Sequence, residues 1–273
     1  MSKKATVIVS VFNRVHELKL IFAALKIQTF KDFEVIISDD GSGKEMKDLV
    51  KKEKDSSELI IRHIHHEDKG FRKNKILNQS IKVSKTPYLI FFDGDCVPHS
   101  NFVKAHFDHR KENVVLCGRR VNLSKKLTES LTVDSIASKQ YERSLRKYFL
   151  SSIAKNEKQS FNVEEGIHIK NKLVRKVFLT KKTSILGSNF SLHKRMMEKI
   201  NGFDENYIGA GIGEDSDIEY RLLLSGGQLR SIRNLAIQYH LFHKSTVESD
   251  ENYVYLEMIK NRKIYFCENG LKK

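Results

Sequence analysis

The stretch Tyr88-Leu-Ile-Phe-Phe-Asp-Gly-Asp95 decides the fold of this chain. Its first five residues are aromatic or aliphatic, as is typical of a β-strand that is buried on both faces. Asp93 and Asp95 follow on either side of Gly94, where that strand ends. Both carboxylates can turn towards one point, and hard oxygen ligands of this kind suit Mg²⁺ or Mn²⁺. Taken alone, such a triplet is more often a polar turn that closes a strand.

The residues before this stretch alternate between strand patterns and helix patterns. Apolar, β-branched runs at 5–12 and 33–38 predict strands, and the apolar residues between them recur at helical spacing. Helices are also predicted at 44–54 and 73–83, and a short strand at 59–64. This alternation predicts an α/β fold with a Rossmann-like, mostly parallel central sheet flanked by helices.

Polar residues follow the ends of these strands: Asn13, Asp39 and Asp40, residues 65–69, and residues 93–95. Ligands of such sheets bind at the carboxyl ends of the strands, so these residues are site candidates. Four acids at one rim would repel one another unless a cation or donor groups are bound there. No Gly-x-Gly-x-x-Gly follows the first strand and no Gly-x-x-x-x-Gly-Lys-Ser/Thr occurs, which disfavours dinucleotide and P-loop sites.

A second acidic cluster lies in Gly209-Ala-Gly-Ile-Gly-Glu-Asp-Ser-Asp217, just ahead of a helix predicted at 218–225. These acids either cap the helix or supply a general base. Capping accounts for one or two of them but not for the preceding glycines, so we favour the base. His240 and His243 follow the Gly226-Gly227 turn, where a neutral imidazole could complete a metal shell begun by Asp95. A lone histidine near a strand end is more often structural.

Composition fits a folded cytoplasmic protein. Of 273 residues 40% are hydrophobic and 30% charged, with two prolines. The three cysteines, Cys96, Cys117 and Cys267, lack Cys-x-x-Cys spacing, so we expect reduced, mostly buried thiols. The apolar run at 5–12 is too short for a signal-peptide core, and no window approaches the roughly 18 apolar residues of a spanning helix.

The net charge of +15 is concentrated in one segment. Residues 119–182 hold 16 Lys/Arg against 6 Asp/Glu, and 128–154 is predicted to be largely helical. Such a segment either meets an anionic partner, such as phospholipid, lipid-linked pyrophosphate or an acidic glycan, or is a solvated lysine-rich face. Any contact with a membrane would then be peripheral, at the inner face of the cytoplasmic membrane.

Three stretches together resemble the family-2 glycosyltransferases of the GT-A fold: Thr6-Val-Ile-Val-Ser-Val-Phe-Asn13, Gln28-Thr-Phe-Lys-Asp-Phe-Glu-Val-Ile-Ile-Ser-Asp-Asp-Gly-Ser42 and Tyr88-Leu-Ile-Phe-Phe-Asp-Gly-Asp95. The resemblance implies a UDP-linked sugar donor and a Mn²⁺ or Mg²⁺ cofactor held by the Asp-x-Asp motif. The residues it places around the nucleotide-sugar are Ser10, Asn13, Asp39, Asp40, Arg72, Asp93, Gly94 and Asp95. Among these, Asp93 and Asp95 would contact ribose and metal. Arg72 is equally consistent with a solvated basic face shared with Lys69, Lys73 and Lys75.

The second half resembles the galactosyltransferase and N-acetylgalactosaminyltransferase branch, through Asn201-Gly-Phe-Asp-Glu-Asn-Tyr207 and Gly213-Glu-Asp-Ser-Asp-Ile-Glu-Tyr-Arg-Leu222. This resemblance implies Asp215 as the catalytic base, with Glu214 beside it. It places Asn189, Gly213 and Glu214 on the acceptor side. His240 is the implied histidine ligand of the metal, with His243 in reserve.

By the same resemblance, residues 1–273 form a single GT-A domain in four parts. These are a nucleotide-sugar-binding half (1–118), a basic, partly helical insertion (119–185), an acceptor-binding and catalytic-base half (186–243) and a C-terminal tail (244–273). The implied reaction is an inverting transfer to a glycan or lipid-linked acceptor in bacterial surface polysaccharide synthesis. Two alternatives stay open: a nucleic-acid-binding protein that uses the basic 119–182 segment, although no specific nucleic acid is expected, and a sugar nucleotidyltransferase.

Overall fold

The structure is a computed structural model that describes residues 3–155, 160–171, 173–175, 183–209, 214–244 and 250–272. The first part of the chain alternates strands and helices, as predicted. In chain order these are β1 (Ala5–Val11), α1 (Val15–Lys26), β2 (Phe33–Asp39), α2 (Lys44–Ser56), β3 (Ile61–His65), α3 (Lys73–Val83) and β4 (Tyr88–Asp93).

The rest of the described chain is less regular and mixes short strands with helices. They include a 3₁₀ helix at Val163–Gly166. The remaining elements are β5 (Cys96–Pro98), α4 (Phe102–Asp108), β6 (Val114–Cys117), β7 (Arg119–Asn122), α5 (Lys125–Glu129), α6 (Val133–Ala137), α7 (Gln140–Lys155), β8 (Phe190–His193), α8 (Lys194–Lys199), α9 (Glu214–Leu224), β9 (Gln228–Ser231), β10 (Ile237–His240) and α10 (Asp250–Arg262).

Two sheets organise these strands. In the described residues the larger sheet has the order β3-β2-β1-β4-β8-β6-β9, and only β8 runs antiparallel to its neighbours. The smaller sheet has the order β5-β10-β7, with β10 antiparallel to β5 and parallel to β7. The predicted α/β architecture with a mostly parallel central sheet is therefore confirmed.

The central strands β1 and β4 of the larger sheet are largely apolar and buried on both faces. In β1, Val7, Val9 and Val11 pack into one hydrophobic cluster, whereas Ile8 packs with Ile36 on the opposite face. Parallel sheets with helices on both faces require this pattern. The observed register places the ends of β1, β2 and β4 side by side.

Three predicted segments differ in detail from the structure. The helical stretch predicted at 128–154 is divided among α5, α6 and α7, and Lys139 adopts a positive φ of 58° between α6 and α7. The helix predicted at 218–225 begins earlier, at Glu214, since acids in a first turn favour the positive end of the helix dipole. The expected C-terminal tail contains α10. Cys96, Cys117 and Cys267 are unpaired and buried, as predicted.

No helix in the described ranges combines the length and the apolar composition that crossing a bilayer demands.

Helix α9 is held in place by a buried ion pair. Arg221 Nε donates to Asp217 Oδ2 at 2.8 Å, and both side chains are 1% exposed. Arg221 also donates to the carbonyl oxygen of Ile200, 2.7 Å away. Burial raises the pKa of the Asp217 carboxyl, and the guanidinium opposes this rise. The pair fixes the helix whose first turn carries Glu214 and Asp215.

We expect Arg221→Leu to reduce the free energy of unfolding by about 3–5 kcal/mol, because it leaves the Asp217 carboxylate buried without a partner. Urea titration followed by circular dichroism measures this loss. The double variant Arg221→Leu/Asp217→Leu removes both charges and should recover much of it. Equal stability of Arg221→Leu and the wild-type protein would contradict this account of α9.

Candidate active site

The ends of β1, β2 and β4 open into a cavity of about 860 Å³, within the size range of small-molecule sites. Its wall includes Ser10, Asp40 and Asp95 from the first half of the chain, and Ser188 and Asp215 from the second. Ser10 lies beside Asp93 across the parallel β1–β4 pair, and its Oγ donates to Asp93 Oδ1 at 2.7 Å. The sheet therefore brings together most of the acids predicted from strand ends.

Asp40 is fixed in the cavity wall by two contacts. His66 Nε2 lies 2.7 Å from Asp40 Oδ1, and the backbone N–H of Arg72 donates to Asp40 Oδ2 at 3.0 Å. Gly41 follows with a φ of +103°, and a Cβ there would approach the Asp68 backbone to 2.6 Å. Glycine is thus required where the two loops cross. Asp40 lines the cavity wall. Its carboxylate can accept further hydrogen bonds from a ligand, since a carboxylate can accept about four.

Three residues predicted to contact the nucleotide do not line the cavity. Asp39 is fully buried, and its carboxylate accepts from the Ser42 N–H at 2.8 Å and faces His63 Nε2 at 2.9 Å. Burial raises the pKa of Asp39, but these contacts outweigh burial and lower it. The Asn13 side chain accepts from the N–H of Gly43. The Arg72 guanidinium donates to the Glu67 carbonyl. All three side chains have contacts within loops of the protein, and their predicted contact with the nucleotide stays a prediction.

Lys73 joins the two halves of the cavity. Its Nζ lies 3.0 Å from Asp93 Oδ1 and 2.6 Å from Glu214 Oε1. Burial lowers the pKa of the lysine, but the two carboxylates outweigh burial and raise it. The pKa of Glu214 is raised by burial and by Asp93 and Asp215, against the opposing effect of Lys73. Sequence reasoning placed Lys73 only in a solvated basic face, because no local pattern links residues 141 positions apart.

The predicted base and its neighbours lie in the first turn of α9. Asp215 lines the cavity, and its Oδ2 accepts from the Gly187 N–H at 3.3 Å. Asn189, predicted to contact the acceptor, is fully buried and donates to the carbonyl oxygens of Arg119 and Ala236. Its amide thus connects two segments of the protein, and its predicted contact with the acceptor stays a prediction. Gly213 lies outside the described residues.

Asp95, His240 and His243 form a separate group in the wall. Asp95 Oδ2 lies 3.1 Å from His243 Nε2 and 3.6 Å from His240 Nε2, and the two nitrogens are 3.2 Å apart. Pairing of β10 with β5 places His240 opposite Cys96, and the Leu241 N–H donates to the carbonyl of Asp95. Burial raises the pKa of Asp95, but the two imidazoles outweigh burial and hold it well below its usual value.

This group fits a divalent metal ion. Ligands about 2.1 Å from a metal and at right or tetrahedral angles are about 3.0–3.4 Å apart, close to the separations seen here. One carboxylate and two imidazoles suit Mn²⁺ and similar ions. Asp93, predicted as a second ligand, is instead held by Ser10 and Lys73. His243, predicted only as a reserve, is closer to Asp95 than His240 is.

The sequence matches two models of known protein families. Residues 6–178 match the family model described as glycosyl transferase family 2. The chain is a family-2 glycosyltransferase. Residues 173–244 match a second family model, described as the N-terminal domain of galactosyltransferase, in agreement with the branch predicted for the second half. Family membership favours a glycosyltransferase over both alternatives considered above.

Curated relatives of this glycosyltransferase include polysaccharide synthases. It is 26% identical to a chondroitin synthase of Escherichia coli over 241 residues, covering 86% of this chain and 34% of the relative. It is 24% identical to a hyaluronan synthase of Pasteurella multocida over 254 residues, covering 86% of this chain and 24% of the relative. The chain thus spans about a third or less of the length of these relatives.

Solved structures share the fold of this glycosyltransferase. S. aureus TarS 1–349 in complex with UDP-GlcNAc superposes with a TM-score of 0.61 at 15% identity, covering 97% of this chain and 67% of that one. The mannosyltransferase PcManGT from Pyrobaculum calidifontis, in complex with GDP-Man and Mn²⁺, superposes with a TM-score of 0.56 at 13% identity. The match covers 89% of this chain and 58% of that one. At these identities the likeness shows the GT-A fold alone.

The metal affinity of this site should fall as the pH falls, because a proton on His243 competes with the metal. The hydrogen bond to Asp95 raises the pKa of His243 above its usual value, and burial opposes this. Below that raised pKa, Mn²⁺ affinity should decline by about tenfold per pH unit. Calorimetric titration of Mn²⁺ across the acid range measures the decline.

Two variants serve as controls for this prediction. His243→Ala should weaken Mn²⁺ binding and remove the pH dependence that this imidazole contributes, whereas His109→Ala, outside the cavity wall, should change neither. In the metal-free protein the Asp95–His243 contact stabilises the fold fully below the unfolded pKa of about 6.5, and this contribution is lost as pH rises through the folded pKa. Mn²⁺ affinity independent of pH would exclude His243 as a ligand.

Proposed function

We propose that this glycosyltransferase transfers a sugar from a UDP-linked donor to a glycan acceptor, with metal assistance and inversion at the anomeric carbon. The observation that carries the proposal is the division of the acids in one cavity. Asp95 lies with two histidines, whereas Asp215 stands apart in the first turn of α9. Asp95 and the two histidines suit a metal ion that binds the diphosphate. The Asp215 carboxylate is then available for proton transfer.

The donor would lie along the edge of the larger sheet. Asp40 can accept a hydrogen bond from the ring N–H of uracil, since its fixed carboxylate faces the cavity. Ser10 and Asp93 lie next along the edge, in a position suited to the ribose. UDP-GlcNAc in complex with S. aureus TarS supports a uridine nucleotide, and chondroitin and hyaluronan synthases among the relatives support a sugar donor for polysaccharide synthesis.

Asp95, His240 and His243 would hold Mn²⁺ or Mg²⁺ beside the diphosphate. When bound, the ion supplies positive charge that stabilises the leaving diphosphate, a contribution of several kcal/mol. The PcManGT complex with GDP-Man and Mn²⁺ supports a metal in a protein of this fold. Lys73 contacts both Asp93 and Glu214, so its ammonium compensates part of the negative charge of these two acids beside the donor.

Asp215 would act as the general base. Its carboxylate takes the proton of an acceptor hydroxyl, the hydroxyl oxygen forms a bond to the anomeric carbon, and the bond from that carbon to the diphosphate oxygen breaks. Attack from the face opposite the leaving group inverts the configuration. A positioned base contributes roughly 10²–10⁴ in rate. The Gly187 N–H orients Asp215 towards the cavity, and Glu214 lies beside it on the acceptor side.

The acceptor would be a glycan, free or lipid-linked, in synthesis of a bacterial surface polysaccharide. Basic residues of segment 119–182 would bring this cytoplasmic enzyme to the anionic inner face of the membrane. In support, α7 exposes Leu150 and Ile153 at 48% each, together with Arg146 and Lys147. Basic residues flanking exposed apolar ones suit a peripheral contact with anionic lipid.

A donor panel tests the proposed function. The protein would be incubated with UDP- and GDP-sugars, with Mn²⁺, with Mg²⁺ or with a chelator, and the release of nucleoside diphosphate measured. We expect the protein to release nucleoside diphosphate from a UDP-sugar, and we expect this release to depend on the metal. Absence of binding and of release with every donor would contradict it.

We expect Asp215→Asn to bind the donor as the wild-type protein does but to lose about 10²–10⁴ in kcat, since the amide cannot take a proton. Calorimetry with UDP and Mn²⁺ measures donor binding, and nucleoside-diphosphate release measures turnover. Asp134→Asn, an exposed acid on α6, is the matched control and should retain full activity. Normal turnover in Asp215→Asn would remove it as the base.

A further inference from the structure

Helix α10 is held against the rest of the protein by one of its faces. Asn252 and Leu256, four residues apart, are buried on this face. The amide of Asn252 donates to the carbonyl oxygen of Gly209 at 3.3 Å. The hydroxyl of Tyr255 donates to Asp204 Oδ2 at 2.9 Å. These contacts fix the helix, so the residues on its opposite face have a defined position at the protein surface.

The opposite face of α10 is exposed and carries apolar side chains. Val254 is 74% exposed, and Met258, one turn further along the helix, is exposed as well. Beyond the end of the helix, Ile264, Tyr265 and Phe266 form an uninterrupted run of exposed apolar residues. Three consecutive apolar residues are seldom left exposed unless they have a function. Exposed apolar surface of this kind marks a site of contact with another molecule.

Two exposed leucines of α9 lie near the C-terminal end of α10. The hydroxyl of Tyr220 on α9 donates to the carbonyl oxygen of Lys260 on α10 at 2.9 Å. Leu223 and Leu224 follow Tyr220 by three and four residues, so they lie one turn later on the same side of α9. Both leucines are exposed. We refer to the exposed face of α10, residues 264–266 and these two leucines together as the α10 surface.

The charges on α10 indicate which molecule covers this surface. Residues 250–263 contain three acids and three bases, which cancel, whereas the whole chain carries a net charge of +15. Asp250 and Glu251 lie in the first turn of α10. Lys260 and Arg262 lie in its last turn. An anionic polymer or bilayer would require a surface with an excess of positive charge. A surface that is acidic at one end and basic at the other instead complements a copy of itself turned end to end.

We propose that the α10 surface is the interface of a two-fold symmetric dimer of this protein. In such a dimer both copies contribute the same surface, so the two α10 helices lie antiparallel. With the two-fold axis opposite residue 256, Val254 of one copy meets Met258 of the other. Glu251 and Arg262 are separated by about three helical turns and therefore lie on the same flank of α10. Each Glu251 then faces Arg262 of the other copy, which gives two ion pairs per dimer.

The size of the α10 surface predicts how firmly the copies associate. A helix of 13 residues is about 20 Å long, and a stable interface buries about 800 Å² on each partner. One helix face is small by this measure, and residues 264–266 with Leu223 and Leu224 enlarge it. The dimer is therefore reversible and depends on protein concentration. It does not depend on the donor, the metal or the reaction proposed above.

Sedimentation velocity of the full chain over a range of concentrations tests the dimer. The wild-type protein should show a reversible equilibrium between monomer and dimer. Val254→Lys should weaken the dimer by about 10-fold or more, because it places a charge against the apolar Met258 of the other copy. Val133→Lys makes the same change at an exposed valine on α6 and should leave the equilibrium unchanged.

Reversal of charge tests the antiparallel arrangement. Glu251→Lys and Arg262→Glu each place like charges opposite one another in both ion pairs, so each variant alone should dimerise about 10-fold more weakly. In a mixture of the two variants both pairs again join opposite charges. The mixed dimer should therefore form with the affinity of the wild-type dimer, as measured by energy transfer between differently labelled variants. Glu45→Lys reverses an exposed acid in the first turn of α2 and should dimerise as the wild-type protein does.

Three results would overturn the proposal. The first is a wild-type protein that stays monomeric at every concentration; if it also bound phosphatidylglycerol vesicles and Val254→Lys did not, the α10 surface would be a lipid contact. The second is a dimer of equal strength in all three variants, which would use another surface. The third is a mixture of Glu251→Lys and Arg262→Glu that fails to associate. Failure to bind UDP or to transfer a sugar would contradict the proposed function and leave the dimer untouched.

Discussion

In the part of the chain that the structure describes, Lys73 lies between acids from both halves of the cavity. Asp93 ends a strand of the first half, Glu214 begins a helix of the second, and the ammonium contacts both. Without it, two carboxylates would face each other in a partly buried wall, where like charges repel strongly. The lysine therefore makes it energetically feasible for the first turn of α9 to lie against the sheet edge. This contact places Asp215 in the same cavity as Asp40 and Asp95.

Each acid at the strand ends likewise has its own partners, and these partners determine its role. Asp39 is satisfied by His63 and Ser42, Asp40 by His66 and a backbone N–H, and Asp93 by Ser10 and Lys73. Asp95 alone of these strand-end acids faces two imidazoles, which the smaller sheet brings from the end of the described β10 region. A strand-end acid is thus a site residue only when its partners leave its oxygens free or favour a metal.

The sequence was sufficient to predict the central sheet and the positions that end its strands. Apolar runs bounded by Asp93 or Asp39 depend on local pattern, and the structure preserves that pattern. The sequence could not predict contacts between distant segments, such as that of Lys73 with Glu214, or that Asp40 rather than Asp39 lines the cavity. Asn189 is a further example, because no local pattern indicated that its amide donates to the carbonyl oxygens of Arg119 and Ala236. Such roles depend on tertiary partners that no spacing encodes.

We propose that a metal ion binds to Asp95, His240 and His243, whereas the Lys73 ammonium lies between Asp93 and Glu214. Anomalous diffraction from crystals grown with Mn²⁺ and UDP tests this most directly, because it locates manganese without assuming its ligands. We expect one strong anomalous peak within ligand distance of Asp95 and the two histidines, and no anomalous peak between Asp93 and Glu214. Manganese between Asp93 and Glu214, with the Lys73 ammonium displaced, would contradict it.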